Sequence, residues 1–261
     1  MAHDSRAQNS PDARRGVQDG RTVMFLRFGV GLIGILLPPA LPFGNWLAAE
    51  VMGRSTDGYW PGSMSAAYYS DTRNVFVGAL CALGVFLICY RFDRRDDRWS
   101  TLAGLFAVGV ALCPTSPQGA TDVQRTVGWF HLAFAALLFV MLALFCLYSF
   151  RNPRSTQPAR VSAAYLVAGV LILVALLLSV LAGATGVGDD WSVQPLYLCE
   201  WLATWSFGAA WIGAALELAA HRRHGVGQGV DQGVDQGVVQ DLVPRQPDAA
   251  EVDAREREAQ A

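Results

Sequence analysis

The chain has 261 residues, 52% of them apolar, a mean hydropathy of +0.29 and a formal net charge of −2. All 20 basic residues are Arg, held in short clusters between long apolar runs, a pattern that excludes a basic nucleic-acid-binding stripe and points to a membrane topology. The five cysteines lie in or beside apolar runs and are odd in number, so a disulfide framework is not expected.

Residues 1–22 are polar, carry Arg6, Arg14, Arg15 and Arg21, and read as a disordered cytoplasmic tail. The first apolar run, residues 23–46, is long enough to span, and Pro38, Pro39 and Pro42 predict a kink or local unwinding in its outer half. A cleaved signal peptide is the competing reading, opposed by the long polar segment ahead of the run. An outside loop over residues 47–72 leads into the second span, 73–90, and Arg91, Arg94, Arg95 and Arg98 then mark the cytoplasmic side. The third run, 100–113, is short for a span and stops at Pro114.

The fourth span, 127–150, is followed by Arg151, Arg154 and Arg160; the fifth, 161–184, is almost wholly aliphatic and reads as the most lipid-exposed. The sixth, 196–220, ends at the run His221–Arg222–Arg223–His224. Residues 221–261 contain GVxQ tetrads from Gly225 to Gln240 and read as a disordered cytoplasmic tail.

Six spans place both termini in the cytoplasm. Thirteen Arg then lie in the amino tail, the two inner loops and the His221–His224 run, against Arg54, Arg73 and Arg125 outside, as the positive-inside rule requires. The expected fold is all-α, an integral membrane bundle of six transmembrane helices over residues 23–220. The chain is multi-pass in the cell membrane, with the lipid bilayer as its partner.

Ionisable side chains at membrane depth are costly and therefore mark candidate sites. Asp71, Arg73 and Asn74 stand at the outer mouth of the second span, while His131 and Glu200 lie about one turn inside the fourth and sixth. At about 1.5 Å per residue, the five share a depth to within roughly 10 Å. Helical spacing sets Asp71 on a stripe with Asn74, Gly78 and Ala82, His131 with Gly128 and Ala135, and Glu200 with Thr204, Gly208 and Trp211. Small residues let helices approach closely, so these stripes are expected to face the bundle and bring the cluster to an outward-opening pocket.

Three readings stay open for that cluster. It fastens helix tops, with Arg73 pairing Asp71 or Glu200; it binds a small molecule, ion or lipid headgroup; or Asp71, His131 and Glu200 serve a membrane-embedded, metal-dependent hydrolase. A non-enzymatic protein whose cluster binds a ligand or fastens the bundle leads. No cofactor is expected. One His with two carboxylates would suit a divalent metal, yet no HExxH or CxxC spacing marks such a site. A two-histidine haem lacks its second intramembrane His, because His3, His221 and His224 fall in the tails. No phosphate loop is present, and nucleic acid is not a partner. Arg27 is expected to snorkel to the cytoplasmic surface. Glu217 is expected to lie with Arg222 and Arg223.

The segments SMSAAYYSDTRNVFVGALCALGVFL, AGLFAVGVALCPT, VGWFHLAFAALLF and EWLATWSFGAAW together resemble bacterial multi-pass membrane proteins of a domain-of-unknown-function family, over residues 24–221 or so. That resemblance implies the bundle and no activity. The chain is also similar to the membrane hydrolase and receptor superfamily that includes the alkaline ceramidases, which implies Ser, Asp and His on inward faces. Ser65, Asp71 and His131 match those types. The late paired-His motif of that superfamily is missing here, Ser65 lies in a loop without a nucleophile elbow, and the expected bundle has one span fewer.

Overall fold

A computed structural model describes the backbone of residues 11–242 except 57, 92–93, 118 and 152–156, and the side chains of residues 21–220 with the same gaps. Among the described residues six helices follow one another: α1 (Pro11–Val51), α2 (Arg73–Cys89), α3 (Arg94–Leu112), α4 (Asp122–Leu144, continued by a π turn at Phe145–Ser149), α5 (Ala159–Thr185) and α6 (Pro195–Leu242). A 3-10 turn, Ser65–Tyr69, precedes α2, and the described residues contain no strand. Four helical stretches, Arg21–Val51, Asp122–Ser149, Ala159–Thr185 and Pro195–Ala220, are long and apolar enough to cross a membrane, and α2 is a shorter apolar helix. The chain is an all-helical, multi-pass membrane protein.

The expected tails, 1–22 and 221–261, fall largely outside the described residues: 1–10 and 243–261 wholly, 11–20 and 221–242 in their side chains. Helical backbone is drawn over 11–22 and through the GVxQ tetrads to Leu242. Residues Met1–Glu217 form one compact unit and Leu218–Ala261 another. The helix crossings and both pockets belong to the first unit.

Glycines set those crossings. A Cβ on Gly84 of α2 would stand 2.9 Å from the Gly104 carbonyl of α3, and one on Gly104 would stand 2.6 Å from that of Gly84. The same holds where α1 meets α6: Cβ atoms on Gly31 and Gly208 would each come within 2.8 Å of the other's carbonyl oxygen. Backbones that close gain dispersion contacts that lipid tails cannot supply, which is how small residues hold helices together in hydrocarbon. α5 shows the lowest buried fraction among the four candidate spans, as its aliphatic sequence predicts.

The prolines of α1 do not break it. Pro39 and Pro42 lack the N–H groups that would bond the carbonyls of Ile35 and Pro38, one turn earlier. Those carbonyls are met from α6 instead. Trp205 Nε1 donates to Ile35 O at 2.9 Å and the Tyr197 hydroxyl donates to Pro38 O at 2.6 Å. The unwinding expected from the sequence is absent, and α1 runs unbroken to Val51, because a neighbouring helix replaces the missing donors.

Overpacking Gly208 should be costly and filling Gly78, whose Cβ would have nothing within 4 Å, should not. Gly208→Val is expected to lower unfolding stability in detergent by about 1–3 kcal/mol. Gly78→Ala should leave the thermal midpoint unchanged or slightly raised; equal losses in the two variants would refute the assigned α1–α6 crossing.

Candidate functional site

The five residues singled out by depth do not meet. No hydrogen bond or ion pair of the described residues joins any one of them to another. Asp71 pairs with Arg54 at 2.5 Å, both partly exposed. Arg73 turns its guanidinium over the Tyr68 ring, 4.4 Å from its centroid, and donates to the Tyr68 hydroxyl at 2.9 Å. Asn74 is exposed. The α2 stripe through Asp71, Asn74 and Gly78 thus faces away from the bundle, contrary to expectation, because Phe76, Leu80, Leu83 and Leu87 take the buried face. Bulky apolar residues at that spacing outweigh one glycine.

His131 and Glu200 do face inward. His131 is 1% exposed, with Nδ1 2.6 Å from the Cys113 carbonyl and Nε2 buried without a hydrogen-bond partner among the described residues. Glu200 accepts the Met64 backbone N–H on Oε2 at 2.5 Å, and Thr204 and Trp211 on its stripe are buried. Asp71, His131 and Glu200 therefore serve three different partners. Among the described residues no group of three His, Cys, Asp or Glu is placed to hold a metal ion.

Asn45, which the depth criterion passes over, organises this end of the bundle. Buried on α1, it accepts on Oδ1 from the Thr72 backbone N–H at 3.2 Å and the Thr72 hydroxyl at 3.0 Å, and its amide donates to Tyr59 O at 3.1 Å. An amide inside the first apolar run is the signal that could have found it. Trp60 adds an aromatic anchor, with ring centroids 5.5 Å from Tyr197 and 5.8 Å from Trp201. Together with Glu200 these contacts pin Tyr59, Trp60, Met64 and Thr72 onto α1 and α6.

The described residues line two pockets here. One, of about 350 Å³, is walled by Tyr68, Tyr69 and Arg73, by Pro114 and Thr115 of the loop between α3 and α4, and by Gln124 and two valines of α4. The Tyr69 hydroxyl donates to Thr115 O at 2.6 Å. Burial raises the Tyr69 phenol above its ordinary value, Tyr68 adds to this and Arg73 opposes it. Gln124 accepts the Thr121 N–H at 2.9 Å in a capping box that starts α4. The second pocket, partly open and lined by α1, α2, α4 and α6 with Val110 of α3, is small and apolar except at Glu200, Ser65 and Thr204.

At the other end lies a buried cation. Arg27 of α1 is 7% exposed, donates from Nε and Nη2 to the Tyr90 hydroxyl at 3.0 and 2.6 Å, and from Nη1 to Ala214 O at 3.0 Å. Its guanidinium carbon stands 5.5 and 5.4 Å from the Tyr90 and Phe150 ring centroids. Snorkelling, the sequence expectation, is not what it does. Glu217 accepts from Tyr165 at 3.0 Å and from Gln157 at 3.2 Å, within the first unit. The side chains of Arg222 and Arg223, its expected company, lie outside the described residues.

Comparison with known proteins adds a partial likeness. The chain is 26% identical over 121 residues to the phosphatidylglycerol–prolipoprotein diacylglyceryl transferases of Shewanella sp. strains MR-4 and MR-7, and equally to that of strain ANA-3. The match covers 44% of this chain and 44% of each transferase, so it spans less than half the length of these relatives. No protein-family model and no solved structure matches the chain.

The two ends differ in what a lost polar group should cost. Tyr90→Phe removes an acceptor of two bonds from a buried cation and should destabilise by about 1–3 kcal/mol. Asp71→Asn breaks an exposed pair and should cost less than about 1 kcal/mol. Chemical unfolding of both variants in the same detergent checks the ordering.

Proposed function

We propose that this is a six-span protein of the cell membrane, with both termini cytoplasmic, that binds a phosphate-bearing anionic lipid headgroup in the pocket at Arg73. One observation carries the reading. Arg73 is an exposed guanidinium on the wall of a 350 Å³ pocket, and no carboxylate pairs with it among the described residues. Guanidinium is planar, permanently charged and weakly hydrated, which suits phosphate oxygens. The Tyr68 ring beneath it fixes its plane. Around it, the Gln124 amide NH2 has no partner among the described residues, and tyrosines are residues that favour headgroup depth. The volume lies within the usual range of ligand sites.

The antiparallel course of α1 and α6 supports an even number of crossings, since Arg27 lies by Ala214 while Pro38 lies by Tyr197. The Arg asymmetry supports the orientation, which puts the Arg73 pocket on the outer face. The Shewanella relatives carry phosphatidylglycerol in their name, and that lipid is the probe to use first.

In nanodiscs or detergent, phosphatidylglycerol should raise the thermal midpoint more than phosphatidylcholine does. Arg73→Gln should weaken that effect roughly tenfold in lipid concentration, a loss of about 1.4 kcal/mol. Equal responses to the two lipids, or an undiminished response in the variant, would sink the headgroup reading. Topology has its own check: a cysteine-reactive tag placed between α5 and α6, at residues 187–193, should label from outside intact cells, and labelling only after permeabilisation would overturn the orientation.

A further inference from the structure

The pocket at Glu200 calls for a different ligand. Its volume is about 70 Å³, and its wall is made of apolar side chains from α1, α2, α4 and α6, among them the rings of Phe76, Phe139 and Phe207. The ionisable group on that wall is Glu200. Its Oε2 is engaged by the Met64 N–H, and Thr204 turns its hydroxyl to the Glu200 backbone carbonyl at 2.7 Å, so Thr204 does not serve the carboxylate. Neither Oε1 nor the Ser65 hydroxyl, also in the lining, has a hydrogen-bond partner among the described residues. No Arg or His belongs to the lining.

A carboxylate in an apolar cavity at span depth is sustained either by a proton or by a cation. The chain supplies no cation within that wall. Aromatic rings next to an anionic oxygen are the recognition set for an organic ammonium, whose charge meets the carboxylate while its alkyl surface meets ring faces. A hydrated inorganic cation would want several oxygen ligands, which this wall lacks. A volume of about 70 Å³ admits a compact ammonium group.

We propose that the Glu200 cavity is a binding site for a small organic cation, a methylated or short-chain ammonium group held by Glu200 and the three phenylalanines. The site is separate from the headgroup pocket, and its test does not involve Arg73.

The full chain in neutral detergent is titrated with tetramethylammonium and, separately, with tert-butanol, a neutral molecule of similar size. Tetramethylammonium should raise the thermal midpoint at millimolar concentration and tert-butanol should not. Glu200→Gln should abolish the shift, and Ala135→Leu, which fills the cavity but keeps the carboxylate, should reduce it. In the unaltered chain, modification of Glu200 by a hydrophobic carbodiimide, followed by peptide mass spectrometry, should slow several-fold with tetramethylammonium and not with tert-butanol. This last readout holds even where a variant does not fold. Equal effects of the two probes, a shift that survives Glu200→Gln, or modification that is absent or indifferent to the cation would each overturn the proposal.

Discussion

Hydrocarbon offers no hydrogen bonds, so each backbone carbonyl that a proline deprives of its donor must find another inside the protein. α1 carries three prolines, which free the carbonyls of Gly34, Ile35 and Pro38; the last two are met by Trp205 and Tyr197 of α6. The first helix therefore depends on the last. The glycine contacts at Gly31, Gly34 and Gly208 bring the backbones close enough for those side chains to reach. Closure of α1 on α6 also forms two walls of the Glu200 cavity, so the same contacts that keep α1 unbroken border the space beside it.

The opposite end follows the same rule with a charge in place of a carbonyl. An arginine lowered into a span must keep its hydrogen bonds, and Arg27 keeps them through Tyr90 and Ala214. Aromatic faces complete its surroundings. Trp211, fully buried, stands 5.3 Å from Tyr90 and from Phe145, and 5.2 Å from Phe150. Tyr90 and Phe150 thus flank the cation from α1, and Trp211 of α6 packs on both rings. This arrangement ties the helices by geometry, whereas the exposed pair of Arg54 and Asp71 ties a loop that water also solvates.

Much of the bundle was legible because length and apolarity are physical requirements of a span. The runs expected at 127–150 and 161–184 are α4 with its π turn and α5 to within a few residues. α3 starts at Arg94 instead of Ser100, since charged residues such as Arg are good helix formers and the apolar criterion misses them. Facing was legible at His131 and Glu200 and not at Asp71. Counting one glycine on the Asp71 stripe misdirected that face, because the positions of Phe76, Leu80 and Leu83 decide it through bulk. The fate of Arg27 was unreadable for a related reason: whether a cation snorkels or stays buried depends on Tyr90 and Ala214, 63 and 187 positions away. Glu200 faced inward as its stripe predicts, but its partner is the Met64 backbone, which no side-chain pattern encodes.

The stretch from Met64 to Tyr69 links the two pockets. Met64 and Ser65 line the one at Glu200, with the Met64 N–H held by Glu200; Tyr68 and Tyr69, a few residues on, line the one at Arg73. The 3-10 turn Ser65–Tyr69 thus brings residues of both linings into one short segment. No side-chain contact among the described residues connects Glu200 to Arg73, so the two pockets meet through the backbone of this segment alone.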